Sequence, residues 1–232
     1  MRGLFFYIGE TFRMGNQGTR IRGIDESFED QKKACFSHIK LLEKLEENNN
    51  KCDVIILSYK TKFDKDLIEW YNKYLIDYIL FDNVIGYENL YQNIIARYNT
   101  IFNNYDYIFI CRIDILYKQQ FYDNFMPPYD KITFPFVCWY KDCVYNNCPR
   151  VCDIFAYIPI KYIKLLYETR VSTLTHHAWY DLKQVGFNDN DIDVMINTYH
   201  DSDSAKDWNP LYYIVNRNQT EIWHSRGLIF KK

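Results

Sequence analysis

The chain has 232 residues, room for one large domain and little more. Apolar residues make up 48% and charged residues 25%, and 28 Lys plus Arg against 30 Asp plus Glu leave a formal charge of -2. This is the composition of a soluble globular protein. It lacks the positive surplus of a dedicated nucleic-acid binder, and no stretch approaches the roughly 20 apolar residues that cross a bilayer.

Leu4-Phe5-Phe6-Tyr7-Ile8 is a continuous apolar run that stops at Gly9-Glu10. It is too short for a signal-peptide core, so it reads as a strand covered on both faces, in a chain kept in the cytoplasm. The Asn218-Gln219-Thr220 sequon is discounted for the same reason. A polar loop follows to about Asp25. A helix is expected from Ser27, capped by its hydroxyl with Asp30, and Phe28, Cys35, Ile39, Leu42 and Leu45 mark its inner face. Val54-Ile55-Ile56-Leu57 is a second strand, about Asp64 to Lys73 a second helix, and Tyr78-Ile79-Leu80-Phe81 a third strand. Leu90, Ile94, Tyr98 and Ile101 stripe a third helix, and Tyr107 to Cys111 is a fourth buried strand. Four β-then-α rounds predict an α/β fold, an open, mostly parallel, doubly wound sheet with helices on both faces.

The second half is irregular. Ile132 to Val137 reads as a strand bent at Pro135, Val151 to Ile158 as another, and Lys161 to Thr169 as a helix. A further helix is expected near Asp191 to Tyr199 and a last strand at Leu211 to Val215. With no repeat and no low-complexity linker, residues 1–232 form one domain. The seven cysteines are expected to stay reduced in the cytosol. Cys138, Cys143, Cys148 and Cys152 cluster, but without the tight C-x-x-C pairs of a zinc knuckle, which disfavours structural zinc. The aromatic share is high at 19%. Tyr suits stacking against sugars or bases, yet a general enrichment in Tyr, Asn, Ile and Lys accounts for most of it.

In an open α/β sheet, ligands sit beyond the carboxyl ends of the strands, near the point where strand order reverses. Strand one delivers Gly9, Glu10, Thr11 and Arg13 there; strand two Ser58, Tyr59 and Lys60; strand three Asp82 and Asn83; strand four Arg112-Ile113-Asp114. Arg112 and Asp114 are two apart and face the same way along an extended strand. A strand-held carboxylate is a ligand type that Mg²⁺ or Mn²⁺ prefers, and a metal with an Arg stabilises a departing diphosphate. Standing alone, the pair is a strand-end salt bridge worth about 0–1 kcal/mol.

The segment Tyr105 to Tyr117, with Arg112-Ile113-Asp114 at its centre, resembles the metal-binding strand end of GT-A fold glycosyltransferases. It is similar to the R-x-D variant of their D-x-D motif, of the kind found in bacterial polysaccharide clusters and giant DNA viruses. Phe5 to Arg13 is similar to that group's first strand and donor loop, and Val151 to Pro159 to its later strand whose Asp faces the acceptor. The resemblance implies a GT-A-like sheet with an irregular C-terminal half: about 1–117 would hold a nucleotide sugar, about 118–232 the acceptor. The implied activity moves a sugar from a nucleotide-diphosphate donor, a UDP-sugar favoured, to a hydroxyl of a glycan or glycoconjugate, with inversion if Asp153 is the base. Nucleic acid is not an expected partner; the oligomeric state is open.

Strand-end placement and the resemblance together give the candidate residues. Asp153, Asp114 and Arg112 form the catalytic set. Gly9, Glu10, Thr11, Arg13, Tyr59, Asp82, Arg112, Lys206 and Arg217 face the donor, and Asp203, Asp207, Trp208 and Asn209 the acceptor side. Asp114 with His224, and His200 second, would hold Mn²⁺ or Mg²⁺. Arg112 stands where the usual motif has its first carboxylate, so this site has one acid fewer and one positive charge more than a full D-x-D enzyme. Asp201-Ser202-Asp203 is a literal D-x-D, but it follows an expected helix instead of a buried strand, and as a calcium loop it has Lys206 where Gly is needed. His176 and His177 read as surface or core residues. A sugar-phosphate nucleotidyltransferase and a degenerate carbohydrate-binding relative are the alternatives. The transfer reading requires Asp114 to open into the crevice.

Overall fold

The computed structural model describes residues 1–15, 21–83, 86–138, 144–168, 175–200 and 210–215. In chain order the strands and helices are β1 (Arg2–Ile8), β2 (Arg13–Met14), β3 (Ile21–Arg22), α1 (Phe28–Glu47), β4 (Lys51–Tyr59), α2 (Asp64–Tyr71), β5 (Leu75–Phe81) and α3 (Gly86–Tyr98). There follow β6 (Tyr107–Arg112), β7 (Ile115–Tyr117), α4 (Gln119–Asn124), β8 (Ile132–Phe134), β9 (Val137–Cys138), β10 (Val144–Tyr145) and β11 (Cys148–Pro149). The last are β12 (Phe155–Pro159), α5 (Ile160–Glu168), α6 (Ala178–Gln184), β13 (Ile192–Val194), β14 (Tyr199–His200) and β15 (Tyr212–Ile214).

Among the described residues a seven-stranded sheet runs β13-β8-β12-β6-β1-β4-β5. Its pairs are parallel except those β12 makes with β6 and β8. Both faces are covered, because successive side chains point to opposite sides. Phe5 and Tyr7 join α1 and α2 residues such as Leu42 and Leu67. Leu4, Phe6 and Ile8 join Leu90, Ile94, Leu166 and Leu182 from α3, α5 and α6. The expected α/β sheet with helices on both faces is therefore present.

The aromatic residues mostly build this core. Tyr7, Tyr59, Tyr71, Tyr91, Tyr107, Tyr157 and Tyr212 are all fully buried. Phe121 stacks on Tyr117 at 4.0 Å and packs against Phe125 and Phe155.

Several local expectations change. Ser27 does not cap α1 with its side chain; it closes a 3₁₀ turn, and its hydroxyl donates to the Ile24 carbonyl at 2.8 Å. The strand expected across Ile132 to Val137 breaks at Pro135-Phe136 into β8 and β9, and Val151 makes only an isolated bridge before β12. Asp191 to Tyr199 is not a helix. An Asn188 capping box closes one 3₁₀ turn, and β13 then pairs with β8. Cys35, Cys52, Cys111, Cys148 and Cys152 are buried thiols outside any disulfide, and Cys138 is buried as well; Cys143 lies outside the described residues. No described helix is long and apolar enough to cross a membrane.

Candidate functional site

The chain runs outward from β1 to β4 and β5, then returns to place β6 on the other side of β1. Strand order therefore reverses between β1 and β6, where Ile8 and Arg112 are register partners at the carboxyl ends. The loops leaving these two strands, Gly9 to Arg13 and Ile113 to Asp114, meet there.

The first loop is shaped by residues that accept unusual backbone or give up their polar groups to hold it. Gly9 has φ 115, open to glycine and strained for other residues, while its N–H still donates to the Leu57 carbonyl at 3.0 Å. Phe12 has φ 48, which a bulky side chain resists, and its ring is buried among Phe28, Phe63 and Trp70. The turn at Phe12 delivers Arg13 toward β6. Thr11, expected to face the donor, is buried; its hydroxyl meets that of Ser58 at 3.1 Å, and Ser58 Oγ donates to the Gly9 carbonyl at 2.8 Å. Glu10 stays partly exposed on the loop.

Asp114 does not open into the crevice. It is 2% exposed, and two guanidiniums hold it. Arg13, equally buried, donates from Nε at 3.2 Å and Nη2 at 2.5 Å to Asp114 Oδ2. Arg112 donates from Nε to Oδ1 at 2.9 Å and from Nη2 to Oδ2 at 2.6 Å. A buried carboxylate is tolerated only when its lone pairs are filled this well. Arg112 keeps 21% of its side chain in solvent, so it carries the positive charge that reaches the surface.

The backbone around Asp114 is pinned from below by two polar residues on the inner face of α1. Gln31 Nε2 donates to the Ile113 carbonyl at 2.9 Å, and Gln31 Oε1 accepts the Phe12 N–H at 3.2 Å, so one side chain ties both loops together. His38 lies flat on Tyr7 at 4.1 Å. Its Nε2 donates to the Ile115 carbonyl at 2.7 Å and its Nδ1 accepts from the Tyr71 hydroxyl at 2.5 Å. Burial lowers its pKa to about 3, so the ring is neutral. The Cys111 thiol, which accepts from the Tyr117 hydroxyl at 3.1 Å, is pushed up by burial and is also neutral. On the fourth side, the Val215 N–H donates to the Asp114 carbonyl at 2.9 Å, following the β15–β7 pairing.

Asp153 precedes β12 instead of lying inside a strand. Its neighbour Ile154 accepts the Arg112 N–H at 3.0 Å, which puts Asp153 at the same end of the sheet as Arg112. Asp153 Oδ1 faces His176 Nε2 at 3.6 Å, and both side chains are about a quarter exposed. His176 Nδ1 donates to the Val151 carbonyl at 3.1 Å, which fixes the ring and turns Nε2 to the carboxylate.

Gly9, Arg13, Arg112, Asp114 and Asp153 are thus gathered at one end of the sheet. Tyr59 and Asp82 are not part of that group. Tyr59 is buried beside Phe81 under the Arg22 guanidinium, and Asp82 is an exposed partner of Lys60 at the outer edge of the sheet, two strands from β1. His200 meets the Thr198 hydroxyl at 2.7 Å with its ring edge against Phe136. Asp203, Lys206, Asp207, Trp208, Asn209, Arg217 and His224 lie outside the described residues. Gln31, His38 and His176 were not anticipated as site residues. For the first two a signal existed: each lies on the stripe that carries Cys35, Leu42 and Leu45, where an apolar residue is the norm.

The residues present do not fit the expected divalent cation at Asp114. Both oxygens accept from guanidinium groups, and the local sum of two Arg and one Asp is positive. Among the described residues no group of three His, Cys, Asp or Glu side chains comes together to hold a metal.

No protein-family model matches the chain, and a comparison with curated proteins found no match. Among solved structures the chain is similar to a mutant Drosophila beta-1,4-galactosyltransferase 7 in complex with manganese, UDP-Gal and xylobiose. That pair has 10% identity and a TM-score of 0.41, over 93% of this chain and 71% of that one. It is also similar to the glycosyltransferase GlyE of Streptococcus pneumoniae TIGR4, with 12% identity and a TM-score of 0.40 over 83% of this chain and 44% of that one. For apo mouse xyloside xylosyltransferase 1 the identity is 10% and the TM-score 0.37, over 82% and 84% of the two chains. At such scores no residue role passes from those proteins to this one.

Proposed function

We propose that the chain is a GT-A-like glycosyltransferase that moves a sugar from a nucleotide-diphosphate donor, with uridine as the favoured nucleotide, to a hydroxyl of a glycan or glycoconjugate. One observation carries the reading: Arg112, held rigid by Asp114 and partly open to solvent, stands at the switch point between β1 and β6. Ligands of open α/β sheets bind there, and a fixed guanidinium matches a phosphate oxygen pair.

In this reading the Gly9 to Arg13 loop forms one wall of the donor site and Arg112 contacts the diphosphate. As the bond between the anomeric carbon and the diphosphate oxygen breaks, negative charge builds on that oxygen. A preorganised cation stabilises it without having to reorient. Asp153 takes the proton of the acceptor hydroxyl as that oxygen attacks the anomeric carbon from the opposite face, so configuration inverts. His176 lies beside that carboxylate, with Nε2 3.6 Å from Oδ1. The burial of Asp114 removes the transfer reading as the sequence framed it, with that carboxylate open to the donor; the form proposed here gives the donor contact to Arg112, while Asp114 acts through the two arginines and touches no substrate.

The test incubates the full chain with a panel of UDP-, GDP- and dTDP-sugars and mixed oligosaccharide acceptors, and follows free nucleoside diphosphate and glycosylated product by mass. Release of nucleoside diphosphate with gain of one sugar on the acceptor is expected. Absence of both transfer and donor hydrolysis across the panel overturns the reading. Release of pyrophosphate from a nucleoside triphosphate and a sugar phosphate would replace it with nucleotidyl transfer.

A further inference from the structure

The geometry points to a diphosphate site that works without a divalent cation: Asp114 is the internal counter-ion that fixes Arg13 and Arg112, and the ligand is held by guanidinium charge. The inference rests on the donor reading above and deepens it, because it assigns the carboxylate a role opposite to that of a metal ligand.

Four guanidinium contacts hold the carboxylate, three on Oδ2 and one on Oδ1. Each carboxylate oxygen offers about two lone-pair positions, so the arginines take up Oδ2, and a cation at Oδ1 must share that oxygen with the Arg112 guanidinium. Its entry is opposed from several sides. The side chains of Arg13 and Asp114 are each 3% exposed, and Mg²⁺ in particular dehydrates reluctantly, so it does not readily enter a dry site. The carboxylate also cannot swing out on its backbone. The carbonyls before and after it, at Ile113 and Ile115, accept from Gln31 and His38, and its own carbonyl accepts from Val215. These bonds come from groups that stay neutral across the working pH range, since burial keeps His38 uncharged down to about 3.

The charge balance points the same way. A carboxylate metal site is net negative before the ion arrives. The clamp around Asp114 itself carries two guanidiniums and one carboxylate, a local positive sum that disfavours a cation at that carboxylate and favours a diphosphate against Arg112. Of the two arginines, Arg13 is sealed in and sets the position of Asp114; Arg112 reaches solvent and is the one a diphosphate meets.

The experiment measures binding of UDP, GDP, dTDP and inorganic pyrophosphate to the full chain by calorimetry, once in EDTA and once in excess MnCl2. Arg112→Ala and Arg112→Lys run in parallel. Loss of Arg112 leaves Asp114 still paired with Arg13, so these variants are expected to fold, which circular dichroism checks. The expected result is a UDP affinity that agrees within about twofold between the two buffers and falls about tenfold or more in Arg112→Ala. Added NaCl weakens binding in both buffers alike. UDP binding that requires MnCl2 overturns the inference and leaves the donor reading intact. So does a single Mn²⁺ site, seen by electron paramagnetic resonance with MnCl2 alone. Failure of UDP, GDP, dTDP and pyrophosphate to bind in either buffer overturns both.

Discussion

Gln31 and Ile113 are 82 positions apart in sequence and are joined by a 2.9 Å hydrogen bond from the side-chain amide to the main-chain carbonyl. The same amide accepts the N–H of Phe12, the residue that turns the chain into Arg13. One neutral side chain therefore sets the separation between the two arginine-bearing loops. Replacing it by Ala leaves a buried N–H and a buried carbonyl without that partner, at about 1–3 kcal/mol each. Gln31→Ala is expected to lose about 2–4 kcal/mol in urea denaturation and to weaken UDP binding along with it. A loss below about 0.5 kcal/mol would mean the two loops are held by the arginine clamp alone.

How much of this could be read from sequence depends on burial. β1, β4 and β6 are central and covered on both faces, so Leu4 to Ile8, Val54 to Leu57 and Tyr107 to Cys111 appear as unbroken apolar runs. β5 is the edge strand, with exposure alternating along Leu75 to Tyr78, and its first half escaped that signal. β13 is three residues long and exists because β8 lies beside it, a tertiary pairing that local periodicity cannot report. The position of the site at the ends of β1 and β6 follows from the β-then-α order. The burial of Asp114 does not. It depends on the left-handed turn at Phe12, which aims Arg13 at a carboxylate 101 positions away.

His38 gives the structure a measurable pH response. Its folded pKa, about 3, lies below the ordinary 6.5, so the unfolded chain binds more protons between those values. Stability attributable to His38 is present in full above about pH 6.5 and is lost as pH falls toward 3, by roughly 4–5 kcal/mol over the whole interval. Carboxylates titrate in the lower part of that window too, so the useful quantity is a difference between proteins. Urea midpoints of wild type and His38→Gln, measured from pH 7 to pH 4, should converge on acidification because only the wild type loses the histidine contribution. Parallel curves would show that His38 is not held neutral.

The β1–β6 register is testable at Gly3, the partner of Tyr107. A Cβ at Gly3 would stand 2.3 Å from Tyr107 Cζ. The ring cannot swing away, because it stacks on Tyr157 at 4.8 Å and meets Phe5 edge-on. Gly3→Ala is expected to cost about 1–3 kcal/mol by overpacking. Tyr107→Leu is destabilising for a different reason, the space it leaves. In the double variant the methyl group occupies part of that space, so the two losses should fall short of additivity by about 1 kcal/mol in a denaturation cycle. Strict additivity would place the two residues out of contact and shift the register.

Asp153 and His176 separate catalysis from donor binding. Neither contributes to the Arg13–Asp114–Arg112 clamp, yet Asp153 is one residue from Ile154, whose carbonyl accepts the Arg112 N–H. If the carboxylate is the base for the acceptor hydroxyl, Asp153→Asn should lower kcat by about 10²–10⁴ while UDP affinity stays within about twofold. His176 acts through the carboxylate, and its ring is fixed by the Val151 carbonyl. His176→Phe should therefore reduce kcat by a smaller factor than Asp153→Asn, with UDP affinity again within about twofold. A kcat that survives Asp153→Asn, or a fall in donor affinity that matches the fall in kcat, would move the base elsewhere and leave Asp153 as a partner of His176 alone.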